Sequence, residues 1–167
     1  MQNNNVNNYK FNASWNIWIH KNSSKDWSLN GYNKIFEITN IADFWNFMNN
    51  FNKLNYMDYQ FFIMRGNITP IWEDPENATG GAASIRLKVS DKNLLDVWTD
   101  LCLYTINEQV CQTDDPINGI SFNLKNDLTV IKIWNKNGSD ISKKISKNLI
   151  NKYKLYSVVY IKNRPEN

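Results

Sequence analysis

A chain of 167 residues, 42% apolar and 21% charged, is long enough to bury one continuous core and falls in the globular range. A formal net charge of +3 is too small for a domain that grips a long nucleic-acid duplex, and two cysteines with a single histidine exclude a disulfide scaffold and the usual zinc spacings. With no signal peptide and no run of about 18 apolar residues, the expectation is a cytoplasmic protein without a membrane partner, its Cys102 and Cys111 reduced.

Residues 1–9 are Asn-rich and aperiodic, which predicts a disordered tail ahead of a single domain over 10–167. Ser14 to His20 alternates as a strand, with Trp15, Ile17 and Ile19 on one face and Asn16, Trp18 and His20 on the other; His20 is read as a surface residue. A polar loop from Lys21 to Tyr32 carries the isolated Trp27. Lys34 to Ile38 reads as a strand, after which Asn40 caps a helix to about Phe51 through Ile41, Phe44, Trp45 and Met48. Asp58 to Met64 is extended, and Pro70, Pro75 and Gly80-Gly81 bound a loop. Ala82 to Val89 alternates with Ala82, Ser84 and Arg86 on one face, and Ser90 is expected to cap a helix reaching Glu108. Asn118 to Leu124 and Leu128 to Trp134 form a hairpin, with Val130, Lys132 and Trp134 sharing a face. A helix from Asp140 to Tyr153, capped by Ser139, and a strand from Lys154 to Lys162 close the chain. Hairpins interspersed with three helices predict an α+β fold, a mostly antiparallel sheet with helices on one face.

The chemistry that stands out is binding. Seven Trp and eight Tyr exceed what a core of this size needs. Trp72 stands beside Glu73 in a loop, a pairing suited to a flat cationic base: the indole face attracts the delocalised charge, and the carboxylate accepts two parallel N–H bonds from a guanine edge. Catalysis is not advertised. No nucleophile elbow, phosphate-cradling Gly loop or metal-ligand cluster accompanies His20, so neither an enzyme nor a cofactor is expected.

Taken together, Trp15-x-x-Trp18, Trp27, Asp43-Phe44-Trp45, Pro70-x-Trp72-Glu73-Asp74 with Gly80-Gly81, Trp98 and Ile133-Trp134 resemble the translation initiation factor 4E family over about Trp15 to Ile161. The resemblance implies a curved antiparallel sheet of about eight strands backed by three α-helices on its convex face, with a pocket for the 7-methylguanosine cap of messenger RNA on the concave face. It implies that Trp27 and Trp72 sandwich the methylated base, that Glu73 holds the guanine edge and that Trp134 lies against the methyl group.

The departures from the family pattern gather around the phosphates. Ala82 and Ala83 replace a basic residue and a Trp, Lys125 replaces an Arg, and Val130 replaces a Lys for which Lys132 and Arg86 are candidate substitutes. Small residues at 82 and 83 suggest spare room beside the phosphates. On the convex side the resemblance implies a partner helix of the 4G or 4E-binding type at Ile41, Trp45, Thr99 and Asp100, with Thr99 standing where a Leu is usual. A monomeric initiation factor is expected. The alternatives are a cap-holding repressor and a general single-stranded RNA-binding module, the latter needing a longer basic groove.

Overall fold

The computed structural model describes residues 9–163. The expected tail, apart from Tyr9, lies outside them. Seven strands form one sheet: β1 (Lys10–Lys21), β2 (Tyr32–Asn40), β3 (Tyr59–Arg65), β4 (Gly81–Lys88), β5 (Ile117–Lys125), β6 (Leu128–Asn135) and β7 (Val158–Lys162). Their order is β2-β1-β3-β5-β6-β4-β7, every neighbouring pair antiparallel. Among the described residues there are thus seven strands rather than the expected eight. Three helices accompany them, α1 (Ile41–Met48), α2 (Leu94–Ile106) and α3 (Lys147–Tyr153). Helix α1 packs on β2, α2 on β1 and β5, and α3 on α2.

The period-two alternation of the strands decides the two faces. In β6, Ile131 and Ile133 are wholly buried and belong to the main core, with Ala83 and Ile85 of β4 as their cross-strand partners. Beneath the helices Phe51, Phe61, Trp98 and Phe122 interlock, with ring centroids 4.9 Å apart for Phe51 and Phe61 and 5.2 Å for Trp98 and Phe122. The opposite face carries a smaller cluster of Tyr32, Phe62, Met64, Ala82 and Trp134, on which Trp18, Ile68 and Ile71 pack. This cluster forms the floor of the concave side.

Helix boundaries differ from expectation where local signals compete with tertiary ones. Asn40 does cap α1: its side chain accepts from the Asp43 N–H at 2.9 Å, and the Asp43 carboxylate accepts from the Asn40 N–H in return. The helix ends at Met48, and a separate 3-10 turn at Phe51–Lys53 swings Phe51 into the core. Ser90 caps nothing. Helix α2 starts at Leu94, because Asp91 accepts from the Asn93 N–H and turns the chain first. The expected helix from Asp140 is helical only over Lys147–Tyr153. Its upstream Ile141 and Ile145 are still buried, and Cys111 bridges to Ile145, so that stretch lies across the core edge as irregular chain.

Trp98 and Trp45 make a direct contrast, one wholly buried and the other 41% exposed. Trp98→Ala is expected to destabilise by about 3 to 5 kcal/mol and Trp45→Ala by no more than about 0.5 kcal/mol, measured by urea unfolding.

Candidate functional site

Two loops overhang the concave floor, each carrying one tryptophan at its tip. In the first, between β1 and β2, the Asp26 carboxylate accepts from the Ser28 N–H at 3.0 Å and the Ser28 hydroxyl at 2.6 Å. Those bonds, the side-chain one foremost, hold the Asp26 carboxyl below its usual range. His20 Nε2 donates to the Asp26 carbonyl at 2.8 Å. Its ring stacks on Trp27, centroids 4.3 Å apart and planes 12° from parallel. His20 is therefore not the surface residue that alternation predicts; it is wholly buried, because Trp27 folds back over it. Trp27 itself remains 54% exposed, so its indole is supported from beneath and open above.

The second loop joins β3 to β4 and is tied to the sheet by buried polar side chains. The Asp74 carboxylate accepts from the Thr69 N–H at 2.8 Å, the Thr69 hydroxyl at 2.6 Å and the Glu76 N–H at 2.9 Å. Asn77, wholly buried, donates to the carbonyls of Thr69 and Ile71, both at 2.9 Å. Asn118 of β5 donates to the Glu76 carbonyl and to Asn77 Oδ1, and Asn163 donates to the Asn77 carbonyl. Where the loop re-enters the sheet, a Cβ on Gly80 would collide with the Asn135 carbonyl oxygen, and one on Gly81 with the Tyr160 ring. The Gly pair thus permits a close approach. Trp72, 49% exposed, is held out at the rim.

Trp27 and Trp72 line one cavity of about 400 Å³ whose walls include Tyr32, Phe62, Trp134 and Lys132. Trp134 Nε1 donates to the Ser121 hydroxyl at 3.0 Å, anchoring the ring in the floor, where it meets Phe62 edge to face. Glu73 is exposed beside Trp72 and not part of the wall, yet its charge reaches inside. The Tyr32 phenol is pushed up to about 12, first by burial and then by the Glu73 charge. Lys132 also lines a second, adjoining cavity of about 270 Å³ together with Arg86, Ser84, Asn123 and Gln60. Desolvation in this groove lowers the Lys132 pKa from the usual lysine value.

Of the residues singled out from sequence, Trp27, Trp72, Trp134 and Lys132 meet at one cavity, and Arg86 joins the neighbouring one. Lys125 sits exposed at the end of β5, beside the β5–β6 turn, and lines neither. Ala83 does not widen the rim, being wholly buried in the main core; only Ala82 faces the cavity. Tyr32, Phe62 and Gln60 went unnoticed in the sequence. Their position two residues apart on strands, or opposite His20 in register, was the available signal, but it requires knowing which strands pair.

On the helical side Trp45, Thr99 and Asp100 line a third cavity of about 430 Å³ with Asp96, Lys152 and Tyr153. Ile41 is not among its walls and instead packs, partly buried, on the main core. Asp100 is already engaged: it accepts from Lys152 Nζ and from the Tyr153 hydroxyl, both at 2.7 Å, and the first of these bonds raises the Lys152 pKa. Burial pushes the Cys111 thiol up to about 12 and the Cys102 thiol up as well, so neither is a reactive thiolate. Among the described residues no helix is long and apolar enough to cross a membrane.

The model of the eukaryotic initiation factor 4E family matches residues 10–164. The chain belongs to that family. It is 33% identical to initiation factor 4E1 of Drosophila melanogaster over 132 residues, which cover 75% of the chain and 49% of that protein. It is 28% identical to initiation factor 4E of Eremothecium gossypii over 135 residues, 77% of the chain and 63% of that protein. The chain thus spans about half to two thirds of the length of these curated relatives. The crystal structure of Ascaris suum eIF4E-3 with an m2,2,7G cap superposes with a TM-score of 0.79 at 20% identity, covering 96% of this chain and 94% of that one. C. elegans eIF4E-3 with the 4E-binding protein Mextli and a cap analog gives 0.75 at 20% identity, covering 92% of each chain. As a 4E-family member the protein belongs to a group of initiation factors and not of enzymes.

Because Asn77 holds two carbonyls of its own loop and is held in turn by Asn118 of the sheet, Asn77→Ala should leave buried acceptors unmatched and cost about 1 to 3 kcal/mol per orphaned group. Urea unfolding reads the loss, and faster acrylamide quenching of tryptophan fluorescence is expected as the Trp72 loop loosens.

Proposed function

We propose that this 4E-family protein binds the 7-methylguanosine cap of messenger RNA in the cavity between Trp27 and Trp72, in the service of translation initiation. The observation that carries the reading is a pair of half-exposed indoles, each on a hydrogen-bonded loop, at the rims of a single cavity. Large exposed aromatics are costly to hold in water unless a ligand covers them, and a flat cationic base does so from both sides. Each indole face contributes roughly 0.5 to 2 kcal/mol to a cation as the site dries. Plain guanine lacks the positive charge and forfeits most of that gain, which gives selectivity for the methylated base.

Glu73, one residue beyond Trp72, is the acceptor for the guanine edge, and its effect on Tyr32 indicates how near its charge lies to the cavity. Trp134 on the floor meets the methyl side. Lys132, shared by both cavities, and Arg86 beyond it take the phosphates, while Lys125 at the exposed end of β5 acts only as a diffuse attraction. That Ascaris suum eIF4E-3 was crystallised with m7G and with m2,2,7G caps supports the assignment.

The exposed Trp45 over the Thr99 and Asp100 cavity favours a second contact, with a helix of a scaffold or 4E-binding protein. C. elegans eIF4E-3 is bound to Mextli and a schistosome relative to 4E-BP, which supports such a partner. A partner that takes Asp100 must first displace Lys152 and Tyr153 from it.

Calorimetric titration with 7-methylguanosine triphosphate tests the cap reading. Trp27→Ala or Trp72→Ala should weaken binding at least about tenfold, the loss of one stacking face. Glu73→Ala should cost about 1 to 3 kcal/mol, since base-edge donors are left without an acceptor; normal binding by that variant would remove Glu73 from the pocket. Lys132→Ala should weaken binding and flatten its dependence on salt, whereas Lys125→Ala should change it less.

A further inference from the structure

One titratable side chain beside the first cavity is used neither for the cap base nor for its phosphates. His20, the single histidine of the chain, lies wholly buried beneath Trp27, with ring centroids 4.3 Å apart and planes 12° from parallel. The imidazole covers one face of the indole, and a ligand in the cavity meets the other. A base stacked there and the His20 ring would thus face each other through a single indole, roughly 8 to 9 Å apart.

The partners of the ring define where a proton can go. A carbonyl oxygen only accepts, so the bond to the Asp26 carbonyl sets a hydrogen on Nε2. Nδ1 is buried with no hydrogen-bond partner among the described residues, and it is the atom that an added proton would take. From β2, the Tyr32 ring stands 4.7 Å away, its phenol pushed up to about 12 and therefore neutral. From β3, the uncharged Gln60 lies opposite His20 in register. From the loop, the Asp26 carboxylate couples to the imidazole, while Glu73 acts on Tyr32 and Lys132 lines the cavity in front of the indole. Histidine is the side chain whose charge ordinarily changes between about pH 5 and 8.

We propose that His20 is a positioning residue that acts through Trp27 and sets the charge preference of its outer face. As a neutral ring it holds the indole plane against the cavity. As an imidazolium it presents a cation to the same indole from behind and repels a cationic base in front. At that separation, in the dielectric typical of a protein surface, the repulsion amounts to about tenfold in affinity. The proposal rests on the cap reading of the first cavity.

The test titrates the whole chain with 7-methylguanosine triphosphate by calorimetry at about pH 7.5 and about pH 5.5, on either side of the usual histidine range. It includes His20→Phe, which keeps a flat ring without the charge, and His20→Leu, which removes the ring. At the higher pH His20→Phe should bind as the unaltered protein does, and His20→Leu about fivefold more weakly for want of the stacked ring. At the lower pH the unaltered protein should lose about tenfold more affinity than His20→Phe. Titration of the ligand phosphate is common to both proteins, so the difference belongs to the imidazole. In the unaltered protein the single histidine gives one imidazole Cε1–H resonance, and near about pH 6 the ligand should move it toward its neutral position, the reciprocal of the same coupling. Equal losses on acidification, with that resonance unmoved by ligand, would overturn the proposal, and so would a His20→Leu variant that binds as tightly as His20→Phe. Absence of any binding by the unaltered protein would instead remove the cap reading, and this role of His20 with it.

Discussion

The geometry of the concave face depends on one buried amide. Asn77 holds the carbonyls of Thr69 and Ile71 from inside the β3–β4 loop, and is itself held by Asn118 from the sheet and Asn163 from the end of β7. A loop of this length would otherwise let Trp72 collapse onto the apolar floor and bury its own surface, closing the cavity. The buried amide instead satisfies the backbone in an open arrangement, and each bond counts for more away from water. The Trp27 loop uses the same device on a smaller scale. Asp26 ties Ser28, His20 ties Asp26, and the imidazole underpins the indole.

Everything between the two loops follows from strand alternation. On one face of β4 and β6, Ala83, Ile85, Ile131 and Ile133 belong to the main core; on the other stand Ala82, Ser84, Arg86, Val130, Lys132 and Trp134. A one-residue slip of register would exchange these sets and destroy both core and groove at once. The groove that results holds cations, hydroxyls and amides without an acid, a field that favours an anionic ligand along its length. Glu73 is the exception in sign and sits apart, at the rim beside Trp72, where the proposed cap reading puts the guanine edge rather than a phosphate.

Most of the concave site was legible because its chemistry resides in rare residues at recognisable spacings. Trp27 and Trp72 with Glu73 stood out since loops rarely expose indoles, and Trp134 through the strand alternation that sets it on one face with Lys132. The β4 and β6 alternation put Lys132 beside Trp134 before any fold was known. His20 was misread because alternation says which face a residue takes but not what lies over it, and what lies over it is Trp27. The helix at Asp140 was overextended for a related reason: Ile141 and Ile145 show helical spacing, yet they are buried as irregular chain bridged to Cys111.

By itself, then, the sequence determined the α+β class, the faces of the strands, the capping of α1 by Asn40 and the aromatic pair with its neighbouring carboxylate, since all of these rest on local periodicity or on single residue types. Tertiary structure alone decided which residues share a cavity. It left Lys125 at the exposed end of β5, buried Ala83, engaged Asp100 with Lys152 and Tyr153, and gathered Gln60, Ser84, Asn123 and Arg86 into a second chamber. These residues come from β3, β4 and β5, far apart in the chain, and only the pairing of strands brings them together.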